Sequence, residues 1–431
     1  MGSLRDQVGV GSMLVYSFPN DNVPSLANPD GTRKRLAALD YMKGLACIML
    51  FYWHYGMIFS TAEWGGFFCI TQIFLDFFGP AMFVILSIVS VMISHQQHAA
   101  LSGKKSYRID SLFKTSYLVI VGEVSNVVNC SAQGGFCLLA INIIMFVVVY
   151  HLIIPQLLKL DYRIRLIIVV VLWLLFEPVF FWAYQGLLES GINPLTLTGL
   201  NMADPRMFTW FLLCDIRMAP FISWSVLAIM TTIVFEKFSV VYNRGTRLQL
   251  RGEMKKILAC GLFCMAIAIV LSFPLSRSLK YQDLVQVAYQ HLEIIFPMNT
   301  PVPQFLIRHT PQYMLYCFGI ICVVFCVVCY KQLIGGHRFH WEEKIQNFGK
   351  MSLTAYIYSF TSFLLPLKMD LLVFFAFIAG FIPILVTSFW YWNRYLKYIG
   401  SFEWMRDQYV KAMLFTAMRV KKSFKFSFSG H

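Results

Sequence analysis

Apolar positions in this chain come in long blocks separated by short polar stretches. Windows of about 20 residues, the length that crosses a hydrocarbon core, fall at 38–60, 67–94, 110–129, 135–158, 166–184, 207–236, 256–274, 311–330, 349–367 and 371–393. The pattern predicts an all-α, polytopic membrane helix bundle of about ten transmembrane helices. The window around Gly79-Pro80 is long enough to tilt or kink.

The connections carry an independent signal, because Lys and Arg concentrate in cytoplasmic loops. Under strict alternation one side receives Arg33-Lys34-Arg35, then Lys104, Lys105 and Arg108, then Lys159, Arg163 and Arg165. The same side receives Arg244, Arg247, Arg251, Lys255 and Lys256, then Lys331, Arg338 and Lys344, and a basic stretch from Arg394 to Lys425. The opposite side holds only Arg206, Arg277, Lys280, Arg308 and Lys368. Both termini are therefore expected in the cytosol. Residues 1–36 read as a polar tail with Pro19, Pro24 and Pro29 and no secretory signal, 37–393 as the membrane domain, and 394–431 as a basic tail. That last tail interleaves cations with aromatics, which suits an anionic leaflet and equally a solvated positive-inside segment. The long outer connection from Leu275 to Pro311 could cover a cavity mouth.

Composition excludes an ordinary soluble domain: 58% of the 431 residues are hydrophobic and 13% charged, and the mean hydropathy is +0.62. The net charge of +14 thus reports topology, and no nucleic-acid partner is expected. Cysteines such as Cys47, Cys69, Cys214, Cys260 and Cys322 lie inside apolar runs and read as packing residues. Cys326-Val-Val-Cys329 precedes His337 and His340 at a gap shorter than zinc-finger spacing, so no metal is expected. Asn129-Cys130-Ser131 is a glycosylation sequon, expected to stay unmodified so near a helix end.

Charge inside the apolar windows needs a reason, since an isolated ion at membrane depth costs roughly 2.5–3.5 kcal/mol even on a lenient scale. Asp40, Lys43, His54, Asp76, Glu123, Glu177, Asp215 and Arg217 are such groups, and they should pair or line a wet cavity. On a helix from residue 38 onward, Lys43 falls about 60° and His54 about 40° from Asp40 around the axis, with Cys47 in the same sector. Asp40 and His54 are then roughly 21 Å apart along the axis. One face offers charge near one membrane surface and an imidazole near the other. Asp40 and Lys43 also suit a local i,i+3 ion pair, and His54, flanked by Tyr52, Trp53 and Tyr55, also suits an interfacial aromatic belt. Glu63 and Asp76 are plausible partners of His54. Asp215 and Arg217, just before Pro220, point to opposite sides of a helix and are expected to meet other helices.

The run Arg35, Leu36, Leu39, Asp40, Lys43, Gly44, with His54 fourteen residues after the Asp, resembles the opening helix of the transmembrane acyltransferase superfamily. Asp76-Phe-Phe-Gly-Pro-Ala-Met-Phe-Val-Ile-Leu-Ser is similar to that group's second helix, Pro220-Phe-Ile-Ser-Trp224 to its P-x-x-x-W helix, and Gly349-Lys-Met-Ser-Leu-Thr-Ala-Tyr356 to its G-R-M-S-L-T-x-Y helix. Gly400-Ser-Phe-Glu403-Trp404 resembles the G-P-L-E-W ending of a bacterial branch. The likeness runs in order from about residue 33 to 406. Its layout is similar to heparan-α-glucosaminide N-acetyltransferase-like proteins, whose active histidine precedes an A-x-W-x-G turn; here Thr61 stands in that place, in Thr61-Ala-Glu63-Trp64-Gly65-Gly66. The type-three acyltransferases carry histidine at the position of His54. Lys43 replaces the usual Arg and Ile88 the usual Gly.

The resemblance implies transfer of an acyl group, acetyl in the nearest branch, from cytosolic acyl-CoA to a hydroxyl or amine near the outer face. His54, Asp40 and Thr61 would carry the chemistry, Arg35 and Lys43 the CoA phosphates, and Trp53, Glu63, Trp64, Asp76, Asp215 and Arg217 the acceptor. The expected partners are acyl-CoA as donor, a small-molecule or glycan acceptor and the lipid bilayer; a homodimer is one option for assembly. Two other classes suit the same polar stripe: a proton-coupled transporter or flippase with His54 as relay, and a scaffold that has lost the chemistry.

Overall fold

The structure, a computed structural model, describes residues 35–59, 79–101, 104–132, 142–191, 205–210, 221–244, 246–275, 303–306, 310–335, 340–364 and 367–428. These residues form helices without any β-strand. In chain order they are α1 (Ala37–Phe59), α2 (Pro80–Leu101), α3 (Lys104–Ala132), α4 (Ile143–Leu157), α5 (Tyr162–Glu189) and α6 (Phe221–Arg244). There follow α7 (Arg247–Leu275), α8 (Pro311–Cys329), α9 (His340–Lys350), α10 (Ser352–Ser359), α11 (Leu371–Leu396) and α12 (Phe402–Phe428), and a single short turn of helix, Pro205–Thr209, lies between α5 and α6. The starts obey local chemistry: Asn142 accepts from Met145 N at 2.9 Å to cap α4, and Thr310 accepts from Tyr313 N at 3.1 Å before Pro311 opens α8.

Among the described residues six helices, α2, α5, α6, α7, α8 and α11, are long and apolar enough to cross a membrane. Of the other expected windows, α1 and α3 carry charges within them, α4 has only 15 residues, and 349–367 does not form one helix. That last stretch breaks at Met351 between the amphipathic α9 and the short α10, and ends in a 3-10 turn at Phe360–Leu364. Residues 402–428, expected as a tail, form a helix whose first half packs on α3: Tyr409 lies 3.2 Å from the Ser116 hydroxyl and 5.7 Å ring to ring from Tyr117.

Burial separates inner from outer helices. The apolar windows of α2, α6 and α8 are 61–67% buried inside the protein, whereas that of α11 is 11% buried: α11 packs Phe374, Phe377, Phe381 and Phe389 against α1 and α9 and presents the rest of its surface outward. For so apolar a helix that surface suits lipid. Arg165 of α5 is buried against Glu236 of α6 and donates to the Thr232 carbonyl at 3.1 Å.

Two helix crossings depend on missing side chains. A Cβ on Gly319 of α8 would lie 2.5 Å from the Gly261 carbonyl of α7. A Cβ on Gly349 of α9 would lie 1.8 Å from the Asp40 carbonyl of α1, and one on Gly44 would lie 2.2 Å from the Ile345 carbonyl. Only glycines allow backbones to approach so closely. The second crossing fixes where α1 holds Asp40 and Lys43. Beyond Met351, α10 runs beside α1, with Ser352 at Cys47 and Ser359 at His54.

Candidate functional site

At the basic end of the bundle a cavity of about 600 Å³ is enclosed by α1, α2, α3, α4, the α9–α10 break and the start of α12, a size typical of small-molecule sites. Arg35, Asp40 and Lys43 line it. One side is a polar stripe in the apolar α2: Ser87, Ser90, Ser94 and Gln97, spaced at helical period. Opposite it stand Lys114 and Asp110 of α3, His151 of α4, Lys350, and Glu403, Arg406 and Asp407 of α12.

The charges are distributed unevenly. Asp40, 2% exposed, accepts from Arg35 Nε at 2.9 Å. This corrects the expected Asp40–Lys43 pair: the guanidinium folds back from the residues before α1 and takes the carboxylate, and Lys43 instead donates to Ser90 Oγ at 2.9 Å. Asp110 holds Lys114 at 2.6 Å and Asp407 holds Arg406 at 2.9 Å. Lys350 donates to Asn347 Oδ1 at 3.0 Å. Among the described residues five cations thus meet four carboxylates in the lining, three carboxylates are taken up by ion pairs, and Lys43 and Lys350 rest on neutral acceptors. An anion entering here would meet ammonium groups that no described carboxylate holds.

The fourth carboxylate serves the fold. Glu403 accepts from Leu353 N at 2.6 Å and Thr354 N at 3.3 Å, and from the Thr354 hydroxyl, so a side chain of α12 caps the N-terminus of α10. Thr354 Oγ1 in turn accepts from Phe402 N at 2.9 Å. The two motifs Gly349–Tyr356 and Gly400–Trp404 are therefore one structural unit, and Gly400 turns the chain into it at φ 84°. Burial, ahead of these hydrogen bonds, raises the Glu403 carboxyl above the ordinary glutamate range. The folded protein accordingly keeps this proton longer than the unfolded chain does. The contribution of Glu403 to stability is greatest at low pH and declines as pH climbs from the unfolded value, about 4.3, through the raised folded one. Glu403→Gln is expected to flatten that decline in melting measurements across pH, and Glu403→Ala to cost about 2 kcal/mol by uncapping α10.

His54 and Trp53 do not line this cavity. His54 lies deeper along α1, its Nδ1 2.9 Å from Ser359 Oγ and its ring 5.1 Å from Phe360. Ser359 also donates to the Tyr356 carbonyl at 2.6 Å, and Tyr356 itself lines the cavity. One turn of α10 therefore stands between the cavity and His54. The serine's one hydrogen goes to Tyr356 O in the short bond, and in the tautomer with hydrogen on Nδ1 His54 donates to Ser359 and Nε2 carries a lone pair.

Of the expected site residues the structure gathers Arg35, Asp40 and Lys43 at the cavity and sets His54 and Trp53 apart from it. Thr61, Glu63, Trp64, Asp76, Asp215 and Arg217 lie outside the described residues. His151, Lys114 and Arg406 are cavity residues that the sequence reading did not single out; the serine stripe of α2 was the signal available for its polar wall. No cluster of three or more His, Cys, Asp or Glu suited to a metal occurs among the described residues. Comparison with protein-family models, with curated proteins and with solved structures finds no match to this chain.

Proposed function

We infer that the protein is an acyl-CoA-dependent membrane acyltransferase, with ten spans and both termini in the cytosol, that moves an acyl group to a hydroxyl or amine, of a sugar, near the outer face. The observation that carries this reading is the basic cavity. It sits at the end of the bundle where cations gather, is lined by Arg35, Asp40 and Lys43 of one motif, and holds ammonium groups on neutral partners. Phosphates satisfy such groups with charge-assisted hydrogen bonds.

The pantetheine arm would then leave the cavity past Tyr356 toward His54, whose Nε2 takes the proton of the incoming alcohol or neutral amine as the thioester carbonyl is attacked. The carbonyl carbon–sulfur bond breaks, a carbon–oxygen or carbon–nitrogen bond forms, and the imidazolium returns its proton to the departing thiolate. Acetyl is the acyl group that the sequence resemblance favours.

Calorimetric titration of the purified protein with coenzyme A tests the reading. Micromolar binding is expected, weakened about 10–100-fold in Lys43→Ala through loss of one charge-assisted contact. Absence of binding in the folded wild-type protein would overturn it, and solute flux through sealed vesicles without acyl-CoA would place the protein among transporters.

A further inference from the structure

We propose that His151 makes the cavity a proton-linked anion site: a phosphate or diphosphate group binds between His151, Lys43, Lys114 and Arg406 and takes up one proton onto the imidazole as it does so. The naming of coenzyme A as the source of that group rests on the acyltransferase reading; the site itself rests on geometry.

His151 belongs to α4, one turn beyond Val147 on the same cavity-lining face. Its buried Nδ1 makes no hydrogen bond to a side chain and faces the Val147 carbonyl one turn back, and the lining around it mixes apolar side chains with charged ones. The charged groups whose fields reach it are Arg406 of α12, Lys114 of α3 and Lys43 of α1, all positive. The carboxylates that share the lining are committed elsewhere: Asp40 to Arg35, Asp110 to Lys114, Asp407 to Arg406 and Glu403 to the start of α10. Lys350 of α9 is held by Asn347. The polar lining residues of α2 are serines and a glutamine, its others are Phe83, Val91 and Ile93, and Tyr356 and Tyr398 complete the titratable set.

In this setting Lys43, Lys114 and Arg406 offer an added dianion cationic donors, and His151 is the lining group that gains a donor by taking up a proton. A neutral imidazole offers one N–H; the imidazolium offers two and an ion pair. Ligand binding and protonation of His151 therefore favour each other, and by linkage the affinity must rise as pH falls.

The test uses the full-length protein and two anions that do not themselves titrate between pH 6 and 8.5: inorganic sulfate and dephospho-coenzyme A, a diphosphate diester. Heats of binding in buffers of different ionisation enthalpy count the protons. Uptake approaching one proton per ligand is expected, with affinity falling up to tenfold per pH unit on the alkaline side. His151→Asn and His151→Gln should abolish both effects, and pantetheine, which lacks phosphate, should show neither. If both variants unfold, Lys43→Arg decides: uptake retained with a permanent cation at position 43 supports His151 as the proton's site, and uptake lost overturns it. Sulfate bound with His151-dependent uptake while both dephospho-coenzyme A and coenzyme A fail to bind would support the site and remove the acyl-CoA reading. Dephospho-coenzyme A bound without uptake, or with uptake unchanged in His151→Asn, would overturn the site and leave that reading standing. Binding of neither would overturn both.

Discussion

Gly349→Ala is expected to destabilise the protein by more than 3 kcal/mol, well above the usual cost of a single added methyl in a packed interior. The new Cβ would lie 1.8 Å from the Asp40 carbonyl and 2.6 Å from the Gly44 nitrogen. Both are backbone atoms of α1, so no rotamer change relieves the clash, and the two helices must separate by more than 1 Å. Separation would also unpack Phe51 from Phe348, whose rings lie 6.2 Å apart across the same crossing. Gly380→Ala of α11 is the control: a Cβ there meets nothing within 4 Å, and the intrinsic helix preference for alanine should leave stability equal or higher by up to about 1 kcal/mol. Thermal unfolding in detergent followed by size exclusion separates the two, and a Gly349→Ala protein that melts with the wild type would show that the crossing is looser than described. Surviving Gly349→Ala protein should also bind coenzyme A weakly, because this crossing holds Asp40 and Lys43 at the cavity.

Helix positions were legible where the information is local. The windows 166–184 and 371–393 sit within or against Tyr162–Glu189 and Leu371–Leu396, and the window 311–330 begins with α8 at Pro311, because hydropathy and caps act within a few residues of each other. The window 349–367 was misleading for the same reason. Its apolar count is blind to the break at Met351, which is held by a carboxylate some fifty positions away at Glu403. Arg35, Asp40 and Lys43 were readable as a group because they share one stretch of chain. Lys114, His151 and Arg406 come from three other elements, and nothing local to any of them announces the cavity. The glycines of the motifs are intermediate: Gly44, Gly349 and Gly400 stood out as pattern residues, yet the reason for each is a neighbour or a backbone angle that only the folded chain reveals.

His54→Ala is expected to lower acyl transfer by about 10²–10⁴-fold, the usual contribution of a positioned base, while coenzyme A binding stays within about twofold. The separation of the two effects follows from position, since His54 stands beyond α10 and outside the cavity that would hold the phosphates. Coenzyme A release from acetyl-CoA, measured in membranes that supply the native acceptor, gives the first quantity and calorimetry the second. Ser359→Ala provides the finer test. Losing the hydroxyl removes the acceptor that keeps hydrogen on Nδ1, and the ring then divides between tautomers and orientations. A fall of about tenfold in kcat with KM nearly constant is the expected signature, and Ser359→Thr, which restores the hydroxyl, should recover most of it. A purely structural histidine would give a different pattern, with His54→Ala lowering the melting temperature and leaving turnover per folded molecule intact. Full turnover in folded His54→Ala protein would therefore remove the imidazole from the reaction, and with it the need for α10 to bring Ser359 alongside α1.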